Sequence, residues 1–259
     1  MLRGVTVVTG PRPCKARQPP TRCGAANTGG PTAPKLRLTF FDFKSFVEPV
    51  RLAFHMGGIE FEDVRVTFEE FAAMRDSLPF GQVPILEVDG LVVSQTLAHL
   101  RYAGRLAGLY PEDPVAAMLV DECLYVVTDV EAALVPTMRM RDAAAQEEKM
   151  ALRKELAEET LPRWCSMIEN RMASNGWSHA AGDELNVADL FVYTLGLWMR
   201  KGVLDGIPTT ILDGYPKLWR RGQGGSQPEG RGLERTALKP RSRGSWFGSG
   251  RGSMSGLVR

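Results

Sequence analysis

The sequence has no run of about 18 apolar residues, the length that a membrane-spanning helix requires. Its opening, MLRGVTVVTGPRPCKARQPP, is broken by prolines before a secretory hydrophobic region can form, so neither membrane insertion nor secretion is expected. Cysteine is sparse. Cys14, Cys23, Cys123 and Cys165 are far apart and form no C-x-x-C pair, which removes the usual spacing of a zinc site or a dithiol redox motif and fits a reducing compartment. Cys123 and Cys165 fall within amphipathic stretches, where a free cysteine acts as a small buried hydrophobe.

Acidic residues are missing from one region and basic ones abound at both ends. Residues 1–35 carry six Lys or Arg and no acid, and residues 222–259 carry seven against Glu229 and Glu234. Within a total of +2, the ends therefore hold +6 and +5, and residues 36–221 hold −9. A core that acidic repels a phosphate backbone, so the basic balance of the whole chain is no argument for nucleic-acid binding. The Arg-Gly-Ser tail has only Trp246 and Phe247 as aromatics and no repeated R-G-G unit, which argues against an RNA-associated role.

Both ends lack apolar periodicity. Residues 1–34 are rich in Pro, Gly, Ala, Thr and Arg, a composition that buries too little surface to offset chain entropy, and they read as a disordered or targeting tail. Their basic, acid-free character suits an organelle transit peptide, but they lack a clear amphipathic helix, and the expected location is cytoplasmic. Residues 222–259 read as a disordered Gly/Arg/Ser-rich tail.

Between the tails, Leu36, Leu38 and Phe40 alternate with Arg37, Thr39 and Phe41, predicting a strand, and the segment around Val50, Ala53 and Phe54 predicts a helix ended by Gly57-Gly58. A second strand is expected over 61–66, then a poorly patterned segment containing Phe68, Phe71 and Met74. The run ILEVDGLVV reads as two strands joined by Asp89-Gly90, a dipeptide suited to a two-residue hairpin turn, with a helix from about Ser94 through Ala107. That order is thioredoxin-like, with a mixed four-stranded sheet, over 35–110. From Pro114 the pattern is helical: Met118, Cys123, Val126 and Val130 lie near helical spacing, as do Leu152, Leu156, Trp164, Ile168 and Met172, giving an all-α domain over 111–221. Asn186 with Asp189 three residues on reads as an N-cap, which makes Asp189 a structural carboxylate.

The segments LTFFDFKSFVEPVRLAF, SLPFGQVPILEVDG, VVSQTLAHLRYAGRLAGLYP and AGDELNVADL together resemble the glutathione transferases, in particular their sigma-like cytosolic class. The resemblance spans Leu36 to Arg221 and implies a homodimeric enzyme that uses glutathione as substrate, needs no cofactor or metal, and conjugates glutathione to a small electrophile held against the helical domain. Val83-Pro84 stands where the family has a cis peptide bond that frees the backbone to pair with the cysteinyl part of glutathione, after Gln82. Gln95-Thr96 matches a Gln-Ser pair at a helix N-terminus that holds the γ-glutamyl carboxylate. Phe71 and Arg75 stand where the class has a tryptophan and a lysine touching the glycyl end, and Asp129 matches an aspartate that reaches the partner's glutathione. The family continues past a segment like GYPKLWRR with more helix, whereas this pattern changes at Gly222, so the helical domain reads as incomplete.

The chemistry half departs from the family. A thiol of pKa near 8.5 is mostly protonated at pH 7, and the family places a hydroxyl donor against the sulfur, in this class a tyrosine in a motif like T-Y-F. Here the motif is Thr39-Phe40-Phe41, and Phe46 replaces a family arginine. Ser45 stands in the loop from which other classes take a serine donor, and Lys44 offers charge alone. Two readings stay open: a transferase with weakened or altered thiolate activation, and a noncatalytic glutathione-binding or interaction protein of the same fold.

Overall fold

The computed structural model of the chain describes residues 33–140 and 142–219. The expectations of an N-terminal tail over 1–34, except for its last two residues, and of a C-terminal tail over 222–259 lie outside the described residues.

The first domain runs β1 (Leu36–Phe41), α1 (Glu48–Met56), β2 (Glu62–Val66), α2 (Phe68–Met74), β3 (Ile85–Val88), β4 (Leu91–Ser94) and α3 (Thr96–Ala107). The sheet order is β2-β1-β3-β4; β1 is parallel to β2 and antiparallel to β3, which pairs antiparallel with β4. The hairpin turns where expected, with Asp89 at φ 51 and Gly90 at φ 86, the two left-handed residues of a type I′ turn. In β1 only Arg37 is exposed: Phe41 is buried like Phe40, because Phe68 and Phe71 of α2 cover its ring. Strict alternation fails there because β1 is an interior strand packed on both faces. The segment after β2 is also more regular than its pattern implied. Thr67 and Glu70 form a reciprocal capping box that opens α2.

α1 and α3 lie together against the sheet, and Gly57 permits the approach, since a Cβ there would sit 2.8 Å from the Ala107 Cα. The second domain comprises α4 (Pro114–Arg139), α5 (Gln146–Glu155), a π turn over Leu156–Thr160, α6 (Leu161–Asn175) and α7 (Val187–Arg200). Met118, expected at a core position of α4, is 62% exposed. The buried face of this helix runs through Val120, Leu124, Val127, Val130 and Leu134, and Met118 falls on the opposite side with Tyr125 and Asp129.

α7 is almost wholly buried and joins the domains, packing against α4 on one side and α1 on the other. Its start is fixed by the capping box read from the sequence. Asp189 accepts from the Asn186 and Ala180 backbone N–H groups at 2.9 and 2.8 Å, and Asn186 Oδ1 accepts from Ala188 N–H at 3.0 Å. Burial holds the Asp189 carboxyl above the usual carboxylate range, against the pull of those bonds and of neighbouring His179. Cys123 and Cys165 are buried, and desolvation pushes both thiols up to about 12, so neither is a nucleophile near neutral pH.

Candidate functional site

The strand registers converge on one end of the sheet. Thr39 pairs with Ile85 and Ile85 with Ser94, so one step further along both ladders Phe40, Pro84 and Gln95 lie abreast. The Val83–Pro84 peptide is cis, and strand pairing on both sides of β3 begins only at Ile85, which leaves the Val83 backbone outside the ladders. Three of the sequence-predicted positions thus come together from β1, the β3 entry and the β4 exit.

Around this row the backbone is special. Gln95 is exposed and holds φ +81, a left-handed conformation uncommon for a residue with a side chain. Its peptide leads directly into Thr96, the first residue of α3, whose N-terminus has no side-chain cap. Free N–H groups at a twelve-residue helix start form a ready acceptor site for a carboxylate. On the other flank, Gly81 has φ +60, and the Arg75 side chain lies over it, with Cγ and Nε each 3.6 Å from the place a Cβ would occupy. Arg75 is exposed and ends α2, and no ion pair holds it among the described residues. Gln82 is half-buried and engaged.

The end of β1 is aromatic. Phe40 packs edge-on against Phe41 and Phe43 at 5.3 and 5.4 Å between ring centroids. Phe71, assigned from the sequence to the ligand, is 6% exposed and packs at 5.5 Å against Phe41, placing its ring within the core. Phe46 is also buried, 4.5 Å from the Trp198 ring and 6.2 Å from Phe191, so this residue ties the β1–α1 loop to α7. Ser45, in the same loop, is 7% exposed, and its carbonyl accepts from Glu48 N–H at 2.8 Å to start α1. Asp129 is not part of the row. It is exposed on α4, on the face shared with Met118 and Tyr125.

Three polar residues near these elements were not singled out from the sequence. Ser94 and His99 are buried beneath the Gln95 corner. Glu131 lies half-buried on α4, on the stripe of Val127 and Leu134, and desolvation alone pushes its carboxyl up to about 8. A histidine and a glutamate interrupting otherwise apolar stripes were the available signals.

A mixed thioredoxin-like sheet with the row of Phe40, Pro84 and Gln95 at its β3 entry, followed by an all-α domain, defines the architectural class. Family models described as "Glutathione S-transferase, N-terminal domain" and "Glutathione S-transferase, C-terminal domain" match residues 36–105 and 131–221. Glutathione S-transferase 1 of Ascaris suum is 35% identical over 159 residues, covering 61% of this chain and 77% of the relative. Among solved structures, prostaglandin synthase D of Nilaparvata lugens superposes with a TM-score of 0.64 at 28% identity, over 71% of this chain and 88% of that one. A sigma-class transferase of Fasciola hepatica gives 0.59 at 26%, over 72% and 88%. The chain belongs to the glutathione S-transferase family. No helix among the described residues is long and apolar enough to cross a membrane.

Proposed function

We propose that this protein binds glutathione along the row at the sheet end and conjugates it to a small electrophile, with weak activation of the thiol. The observation that carries the reading is the alignment of Phe40, the cis Val83–Pro84 peptide and Gln95 across three strands. In this reading the Val83 backbone pairs with the cysteinyl unit, with Gln82 beside it. Gln95, Thr96 and the α3 N-terminus receive the γ-glutamyl carboxylate. Arg75, arching over Gly81, meets the glycyl carboxylate as a charge-assisted partner. Phe71 supports this wall through Phe41. The protein acts as a homodimer in the cytoplasm, where Asp129 on the exposed face of α4 reaches the partner's ligand.

Phe40 is where the chemistry weakens. It keeps a ring beside Pro84 but has no hydroxyl to donate to the sulfur, and Phe46 directs another ring into Trp198 where the family has a cation. Ser45 is the candidate substitute donor, and burial limits water's competition for its hydroxyl. The same two phenylalanines favour a second reading, a glutathione-binding protein without conjugating activity. Calorimetry with glutathione, combined with conjugation assays on wild type and Phe40→Tyr, separates the two. Binding with slow turnover that rises sharply in Phe40→Tyr supports the transferase; binding with no turnover in either protein supports the second reading. No detectable binding removes both.

A further inference from the structure

The Gln95 corner is gripped from below by one residue. His99 Nε2 lies 2.8 Å from the Val93 carbonyl oxygen, and the His99 backbone N–H donates to the Gln95 carbonyl at 3.1 Å. The His99 side chain thus holds the chain just before the Ser94–Gln95 unit, and its backbone N–H makes the first α3 bond to the residue at φ +81. The ring is fully buried, and desolvation lowers its pKa to about 4 against the opposing effect of the Val93 bond, so the imidazole is neutral at physiological pH. A carbonyl only accepts, so Nε2 carries the proton and Nδ1 presents a lone pair. That Nδ1 is buried with no hydrogen-bond partner, and so is the hydroxyl of Ser94, the residue next to Val93. Neither of these atoms bonds the other, so the Nε2 bond to the Val93 carbonyl is the ring's hydrogen bond to the corner.

We propose that His99 clamps the corner through the Val93 carbonyl, and that this clamp holds Gln95 and Thr96 in the geometry that receives a carboxylate at the α3 N-terminus. His99 is a positioning residue; it is fully buried and acts through the backbone it grips. The ligand part of the proposal rests on the glutathione-binding reading, whereas the clamp itself does not. A leucine or isoleucine at 99 fills the space but leaves the Val93 carbonyl ungripped, and the strained corner then relaxes toward ordinary backbone conformations.

The test compares wild type, His99→Leu, His99→Gln and Ser94→Ala by amide hydrogen exchange and by glutathione kinetics. Loss of the grip is expected to accelerate exchange of the residue-99 amide, which bonds the Gln95 carbonyl, at least about tenfold in His99→Leu while Tyr102–Ala107 exchange as in wild type. The KM for glutathione should rise about five- to tenfold in His99→Leu with kcat within about twofold, Ser94→Ala, which leaves the Val93 bond in place, should stay close to wild type, and His99→Gln, which keeps an amide donor, should recover most of the loss. Unchanged exchange at the corner, or an even acceleration along all of α3, overturns the clamp. If His99→Leu does not fold, His99→Met, an unbranched side chain without a donor, carries the same exchange test. If wild type binds no glutathione the functional reading fails, and the exchange pattern still decides for or against the clamp.

Discussion

The two sides of the binding row are built from different material. At the β3 entry and the α3 start, the groups offered to a ligand are backbone N–H and C=O groups, placed by a cis proline, a left-handed Gln95 and an uncapped helix. At the end of β1, where the proposed function looks for side-chain donors, Phe40 and Phe46 contribute only rings to packing. Backbone groups survive most substitutions, whereas a side-chain hydroxyl disappears with a single one. In the proposed function, binding and activation are therefore separable, the first retained and the second weakened.

The largest expected effect comes from restoring the missing hydroxyl. Lowering the thiol pKa by about one to two units corresponds to about 1.4 to 2.7 kcal/mol in favour of the thiolate. Phe40→Tyr should accordingly raise kcat/KM for conjugation by about eight- to twenty-five-fold near pH 7, the increase in thiolate fraction, with glutathione affinity within about twofold of wild type. Stopped-flow or steady-state assays with a chromogenic electrophile check it, and an equal gain in affinity would erase the contrast between the two sides. On the binding side, Arg75→Ala removes an exposed charge-assisted partner and should weaken glutathione about fivefold while kcat is preserved, as read by calorimetry and saturation kinetics.

The contrast was only partly legible in the sequence. Local backbone chemistry was readable: Asp89-Gly90 and Asn186 with Asp189 are short-range signals and each produced the expected turn or cap, while the cis Val83–Pro84 peptide was implied by the family resemblance. Residues defined by what packs on them from elsewhere were not. Phe71 looked like a ligand contact but meets Phe41, and Met118 fitted a core period yet sits on the exposed side of α4. His99 and Glu131 left a trace as polar interruptions of apolar stripes, but how deeply they and Ser94 are buried is a tertiary property that the stripes alone do not give.

A smaller effect concerns Glu131, the half-buried acid on the apolar stripe of α4. Its folded pKa is raised from 4.5 to about 8 by desolvation. Below about pH 4.5 both folded and unfolded chains are protonated and the residue is neutral in stability. As the pH rises toward 8, the unfolded chain releases the proton first, so stability falls, and the penalty is complete above 8. Glu131→Gln should match wild type in denaturant melts at pH 4 and exceed it at pH 9, by on the order of 1 kcal/mol. Equal midpoints at both pH values would show that the carboxylate is well hydrated in the folded protein.

The most direct test of the central claim is the titration of the thiol in bound glutathione, followed through the ultraviolet absorbance of the thiolate. With binding intact and no hydroxyl donor at Phe40, the midpoint of the wild-type complex should lie close to the free-thiol value of about 8.5, stay there in Ser45→Ala, and move down in Phe40→Tyr. A wild-type midpoint well below 8.5 would contradict the account: if Ser45→Ala raised it, the serine would be the donor, and if not, the activation would come from Lys44 or the helix N-terminus.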